Sequence, residues 1–291
     1  MSTFSDQLLN PDTWSGLMMG NHALVRAMLE SGVQVATTYP GSPTPEIADA
    51  IRTIPDDQRP FYFEYSVNEK VALEVAFGAS INGRLATVFF KSVGLNVAAD
   101  SAVQLGLLNL IGGMVIILGD DPGANSSQNE QDNRHFARLA YIPMLEPATP
   151  SEAYHMFKEA ARLSQKYQMP VFLRLTTHVC HARERIDFGE YRPQKADWQP
   201  RFDVKNGPYL PIVDRVFPLK RRLLRKMQEM RKEADASPFN TILQPTGPAR
   251  TGEPKRGIIA SSMPVLSLQE NLARSEEGID ILQLNFSYPL P

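Results

Sequence analysis

The 291-residue sequence holds a single cysteine, Cys180. A disulfide needs two and an iron–sulfur cluster held by the chain's own thiolates about four, so these residues build neither. Charge of one sign is also missing. Thirty basic against 32 acidic residues leave a net charge of −2, which argues against non-specific nucleic-acid or membrane binding as the main activity. No apolar run reaches the ~20 residues of a bilayer-spanning helix. The longest, Leu105 to Leu118, is broken by Asn109 and three glycines. The N-terminus lacks a basic-then-apolar signal pattern, which makes a cytoplasmic location the expectation. Repeats and low-complexity tracts are absent too. What remains, 43% apolar and 21% charged, describes a soluble globular protein with room for one large or two ordinary domains.

What is present is a regular alternation. Asn21 to Ser31 has helical spacing, with Leu24, Val25, Met28 and Leu29 inward and Gly32 at its end. Val33 to Thr38 reads as a strand running into Tyr39-Pro-Gly-Ser-Pro-Thr-Pro45, where Thr44 as cap and Pro45 open the next helix. Such strand–loop–helix junctions are where α/β folds hold ligands, although a Pro-Gly-Ser-Pro stretch also serves as a rigid turn and nothing more. In Glu64 to Gly83, Ser66 or Asn68 can cap a helix whose first turn carries Glu69. Its buried face is Val71, Ala72, Val75, Ala76 and Ala79, and Gly78, Ala79 and Ser80 are small enough for another backbone to approach. A carboxylate at the mouth of such a helix is either a solvated acid suited to the helix dipole or one turned toward a ligand.

Leu85 to Phe90, Met114 to Leu118 and Val171 to Thr176 read as buried strands, with helices over Val97 to Leu108 and Ser151 to Gln168. The polar loop Gly119 to Arg134 is long for a compact domain, as functional or disordered loops are. Strands alternating with helices as far as Phe188 predict an α/β fold, a largely parallel sheet covered on both faces. Met1 to Trp14 is expected to be a loose arm. Residues 189–255 read as a linker carrying one basic-striped helix, Val213 to Ala234, and residues 256–291 as strand, helix and strand, too little to bury their own faces. His178, Cys180 and His181 have soft-ligand spacing, but a strand end would turn them to alternate sides, so no metal site is expected there.

Five stretches stand together in order across roughly residues 18–186. They are Thr38-Tyr-Pro-Gly-Ser-Pro-Thr-Pro45, Asn68-Glu-Lys-Val-Ala-Leu-Glu-Val-Ala-Phe-Gly-Ala-Ser80, Lys91-Ser-Val-Gly-Leu-Asn-Val-Ala-Ala-Asp100, Asp120-Asp-Pro-Gly123 with Ser126-Ser-Gln-Asn-Glu-Gln-Asp-Asn-Arg134, and Arg174-Leu-Thr-Thr177. Together they resemble the thiamine-diphosphate-dependent 2-oxoacid:ferredoxin oxidoreductases, and among these the alpha subunits acting on indolepyruvate. Residues 256–291 resemble the opening of that family's transketolase-C-terminal-like domain, with Ser261-Ser-Met-Pro264 in place of its tight glycine turn.

The resemblance implies that residues 1–188 form the pyrimidine-binding module of thiamine diphosphate, in which one carboxylate, here Glu69, accepts a hydrogen bond from N1′ of the aminopyrimidine. It places Ser42 beside the substrate, and Ser92, Gly94 and Asn96 (with Lys91) in the turn flanking the cofactor ring. Arg134, the one cation of its loop, is a candidate clamp for the substrate carboxylate, with a capping or salt-bridge role as the alternative. The diphosphate, Mg2+ and a 4Fe-4S cluster are expected on a missing part or a partner. Gly119-Asp120-Asp121 has no asparagine about 24 to 27 residues on, so it is read as no metal site. Partners implied are a diphosphate-binding module or subunit, ferredoxin, coenzyme A and a 2-oxo acid, in an oligomer inactive without that module. Pyruvate or 2-oxoglutarate as substrate, or a non-catalytic module that keeps the fold, are the alternatives.

Overall fold

The computed structural model describes residues 3–193, 199, 202–243, 257–273 and 279–291. Helix α1 (Phe4–Leu8) opens the chain, followed by strand β1 (Trp14–Met19), α2 (Gly20–Ser31) and β2 (Val35–Thr38). Next come α3 (Pro45–Thr53), β3 (Tyr62–Tyr65), α4 (Glu69–Ile81), β4 (Ala86–Lys91), α5 (Gly94–Leu105) and β5 (Met114–Asp120). Beyond the polar loop lie α6 (Arg134–Ala140), β6 (Met144–Leu145), α7 (Pro150–Tyr167), β7 (Pro170–Thr176), α8 (Thr177–His181) and β8 (Arg183–Phe188). The remainder is α9 (Val216–Asp235), β9 (Asn240–Leu243), β10 (Gly257–Ala260), α10 (Pro264–Ala273), β11 (Asp280–Leu284) and β12 (Phe286–Tyr288).

Seven strands form the main sheet in the order β12-β6-β7-β5-β4-β2-β3. All pairs are parallel except β12 with β6. Alternation along each strand divides the interior into two cores. Val115 and Ile117 of β5 join α2, α3 and α7 on one face, while Met114, Ile116 and Leu118 join α4, α5 and α6 on the other. The chain runs from β2 outward to β3, then returns past β2 to β4 and continues the other way. The strand order therefore reverses between β2 and β4, the point where open α/β sheets leave a crevice at their carboxyl ends.

Two expectations need correction. Residues 4–8 are helical rather than loose. Thr3 and Asp6 form a capping box, and the fully buried Arg26 holds the arm by donating to the carbonyls of Leu8, Asn10 and Gly189 while pairing with Glu30. The 178–181 stretch is a turn of helix rather than a strand end. Cys180 is fully buried, and burial pushes its thiol pKa up. Among the described residues no three His, Cys, Asp or Glu side chains stand close enough together to hold a metal ion, and no helix is long and apolar enough to cross a membrane.

Helix α9 buries Leu223, Met227, Met230 and Ala234 in the core shared by α2, α3 and α7. Strands β10, β11 and β9 form a separate small sheet, while β12 extends the large one. Lys226 of α9 donates to Asn109 Oδ1 and to the Gln168 carbonyl that ends α7. Burial, reinforced by Arg222, lowers its pKa to about 7. The unfolded chain keeps the ordinary lysine value of about 10.4, so between about pH 7 and 10 it binds more protons than the folded chain, and stability rises with pH. Urea unfolding at pH 7 and 9 is expected to show this rise in the native chain and to lose it in Lys226→Met; an equal rise in both would contradict the assignment.

Candidate active site

The loops after β2, β3, β4, β5 and β7 all leave the same edge of the sheet. After β3, Asn68 caps α4 by accepting from the Val71 N–H, and Ser66 instead donates to Glu64. Glu69 is therefore the first residue of the helix, partly buried, where the dipole favours an anion. Its carboxylate has no hydrogen bond or ion pair with a described residue. It rests on the first residue of α5: a Cβ on Gly94 would lie 2.6 Å from Glu69 Cγ and Oε1. A side chain at Gly94 would therefore have to push the Glu69 carboxylate out of this position. The small-residue contact expected at Gly78 does not occur, since a Cβ there meets nothing within 4 Å. Ala72 and Ala76 instead share a core with Ala98 and Ala102 of α5.

The Ser42 loop stands on the other side of the crevice. Buried Asn21 donates to the Pro43 carbonyl, and Gly41 abuts the Lys91 Cβ at the end of β4. Thr44, not Ser42, bonds the turn back to Gly41, so the Ser42 hydroxyl has no partner among the described residues. Between these loops, the Ser92 N–H donates to the Gly119 carbonyl, and the buried Ser92 Oγ has no partner either. Asn96 is exposed and donates to Gln131 Oε1, while Lys91 Nζ reaches the Ser126 carbonyl and ties down the polar loop. An acceptor at Glu69, an orphan hydroxyl at Ser92 and a glycine that leaves the carboxylate room fit a flat heterocycle carrying a protonated ring nitrogen. Glu69, Ser92 and Gly94 would hold it.

Arg134 lies apart from these groups. It pairs with Asp132 (Nη2–Oδ2, 2.7 Å) and lines a cleft of about 660 Å³ with Gln131, Arg174, Thr176 and Ser262. Hydrogen bonds from Arg134, with burial opposing them, hold the Asp132 carboxyl down to about 2. The sequence reading gave no role to the buried charge cluster beneath this cleft. Arg174 Nε donates to Asp120 Oδ2 at 2.6 Å and Nη1 to Glu146 Oε2 at 2.5 Å. Burial pushes the Asp120 carboxyl up against the pull of Arg174, and Asn133 donates to both its oxygens. One signal was available: an arginine inside the apolar strand Val171-Phe-Leu-Arg-Leu175 requires buried partners.

Residues 26–241 match the family described as "Pyruvate flavodoxin/ferredoxin oxidoreductase, thiamine diP-bdg". The chain is 41% identical over 274 residues to the indolepyruvate oxidoreductase subunit IorA of Methanothermobacter marburgensis, covering 94% of this chain and 43% of that protein. The IorA protein of Pyrococcus abyssi is 38% identical over 279 residues, with 94% and 42% covered. The chain thus spans less than half the length of these curated relatives. A solved structure of 2-oxoglutarate:ferredoxin oxidoreductase from Magnetococcus marinus, with 2-oxoglutarate, coenzyme A and succinyl-CoA bound, shares the fold with a TM-score of 0.73 at 14% identity, covering 95% of this chain and 55% of that one. By the match over residues 26–241, the chain belongs to the thiamine-diphosphate-binding family of the pyruvate flavodoxin/ferredoxin oxidoreductases.

Proposed function

We propose that this chain supplies the pyrimidine-binding half of the active site in a 2-oxoacid:ferredoxin oxidoreductase that decarboxylates aryl pyruvates such as indolepyruvate to acyl-CoA. The observation that carries this reading is the Glu69 carboxylate, without a partner among the described residues and seated on Gly94 at the switch-point crevice. Thiamine diphosphate, when bound, supplies an acidic C2–H and a cationic ring that accepts the electrons released as CO2 leaves. Glu69 accepts the hydrogen bond from N1′ and so keeps that nitrogen protonated. Ser92 Oγ offers a polar contact at the ring edge, and Ser42 presents its hydroxyl to the 2-oxo acid. Arg134, half-exposed on the adjoining cleft, offers its guanidinium to the carboxylate of the substrate. Diphosphate, Mg2+ and the 4Fe-4S cluster belong to a module outside these 291 residues, as do the contacts with ferredoxin, and the working form is an oligomer.

The test is assembly with a diphosphate-binding partner, followed by indolepyruvate-dependent reduction of ferredoxin in the presence of coenzyme A. Turnover is expected only in the assembled complex. Activity with pyruvate or 2-oxoglutarate instead would move the substrate assignment, and no CO2 from any 2-oxo acid would leave the chain a non-catalytic module.

A further inference from the structure

The carbonyl of Ser92 accepts three hydrogen bonds. It accepts from Gln131 Nε2 at 3.1 Å, from Asn133 Nδ2 at 3.3 Å and from the Leu95 N–H at 3.3 Å. Two of these donors come from the far end of the polar loop, 39 and 41 residues along the chain. They are joined to each other, because Gln131 Nε2 also donates to Asn133 Oδ1 at 2.7 Å. Gln131 then reaches past the turn, accepting from Asn96 Nδ2 at 2.8 Å. Asn133, fully buried, is held in turn by Asp120, itself fixed between Asn133 and Arg174. A continuous line of hydrogen bonds thus runs from Arg174 through Asp120 and Asn133 to the Ser92 carbonyl. Two residues beyond that carbonyl is Gly94, the backbone on which the Glu69 carboxylate rests.

The geometry points to Gln131 and Asn133 as positioning residues. They clamp the Ser92 carbonyl and so fix the Ser92–Gly94 turn that sets where the Glu69 carboxylate can stand. Neither needs to touch cofactor or substrate to do this. Without the clamp the turn keeps its own backbone bonds and the Ser92 N–H bond to the Gly119 carbonyl, but nothing holds the Ser92 carbonyl from the loop side, and Gly94 can draw away from Glu69. A misplacement of about 1 Å at a reacting group costs on the order of 10²-fold in rate. The clamp also anchors the polar loop between β5 and α6, because two of its amides, Gln131 and Asn133, are paired across the turn rather than with water.

This inference rests on the reading of Glu69 given above, and the experiment separates the two. In the assembled complex without substrate, exchange of the cofactor C2 hydrogen for deuterium is followed by acid quench and NMR for the native protein, Gln131→Ala, Gln131→Glu and Glu69→Gln. Gln131→Glu keeps the acceptor for Asn96 and loses the donor shared by the Ser92 carbonyl and Asn133 Oδ1, so it carries the test if the alanine variant assembles poorly. Both Gln131 variants are expected to exchange at least about tenfold more slowly, with KM for the 2-oxo acid changed less than about threefold. A residue that merely lined the substrate cleft would instead raise KM and leave substrate-free exchange alone, and that result would overturn the assignment. Normal exchange in the Gln131 variants with slow exchange in Glu69→Gln would remove the clamp but keep the carboxylate. Normal exchange in Glu69→Gln would remove both.

Discussion

Glu69→Gln in the assembled enzyme is expected to lower turnover by about 10²–10⁴-fold, the range for loss of a positioned acid–base group. The amide has the same shape, so it keeps the contact with Gly94 and the packing of α4 on α5. What it loses is the anionic acceptor. A neutral amide can donate to the bare N1′ but cannot hold a proton on it, so cofactor affinity should change less than about tenfold while the rate collapses. The two quantities are read by a binding titration and by initial rates on the same preparation. An equal fall in both would instead mean that Glu69 serves binding alone.

The second large effect concerns stability. Among the described residues Arg174 is the only cation bonded to the buried Asp120 and Glu146, and one oxygen of Glu146 has no partner there. Arg174→Met would leave two carboxylates buried without a counter-charge, a loss of about 3–5 kcal/mol at neutral pH. The loss should shrink on acidification. Without the guanidinium the Asp120 carboxyl, already pushed up by burial, rises further above its unfolded value, and the stability so forfeited returns as pH falls and the group takes up a proton. Adding Asp120→Asn and Glu146→Gln to the variant should restore much of the loss at pH 7. Urea unfolding at pH 7 and pH 5 measures both. A variant equally destabilised at the two pH values, and not rescued by the neutral pair, would show that packing and not charge holds this cluster.

Much of the sheet and one side of the crevice were legible in the sequence because their signals are local. β-Branched runs marked β2, β4, β5 and β7, Asn68 lies within three residues of the N–H it caps, and Gly32 closes α2 in the left-handed conformation (φ 72°). The ribbon of β1 with β8 was not legible, because its partners lie at opposite ends of the domain and Leu17 stays exposed on it. Nor was β12, whose partner β6 is two residues long and more than a hundred positions away. The site divides the same way. Glu69 was singled out from its own stretch and Ser42 through the family resemblance of its loop, whereas Gln131, Asn133 and Asp120 gain meaning only when the polar loop folds back over the Ser92 turn. Loop polarity records that such groups need partners, but not which backbone they find.

The most direct measurement of the central claim is the state of N1′ on nitrogen-15-labelled thiamine diphosphate bound to the assembled enzyme. With Glu69 in place the N1′ resonance is expected in the protonated range at neutral pH, and in Glu69→Gln it should return to the position of the free, neutral cofactor. An identical resonance with and without Glu69 would contradict the account.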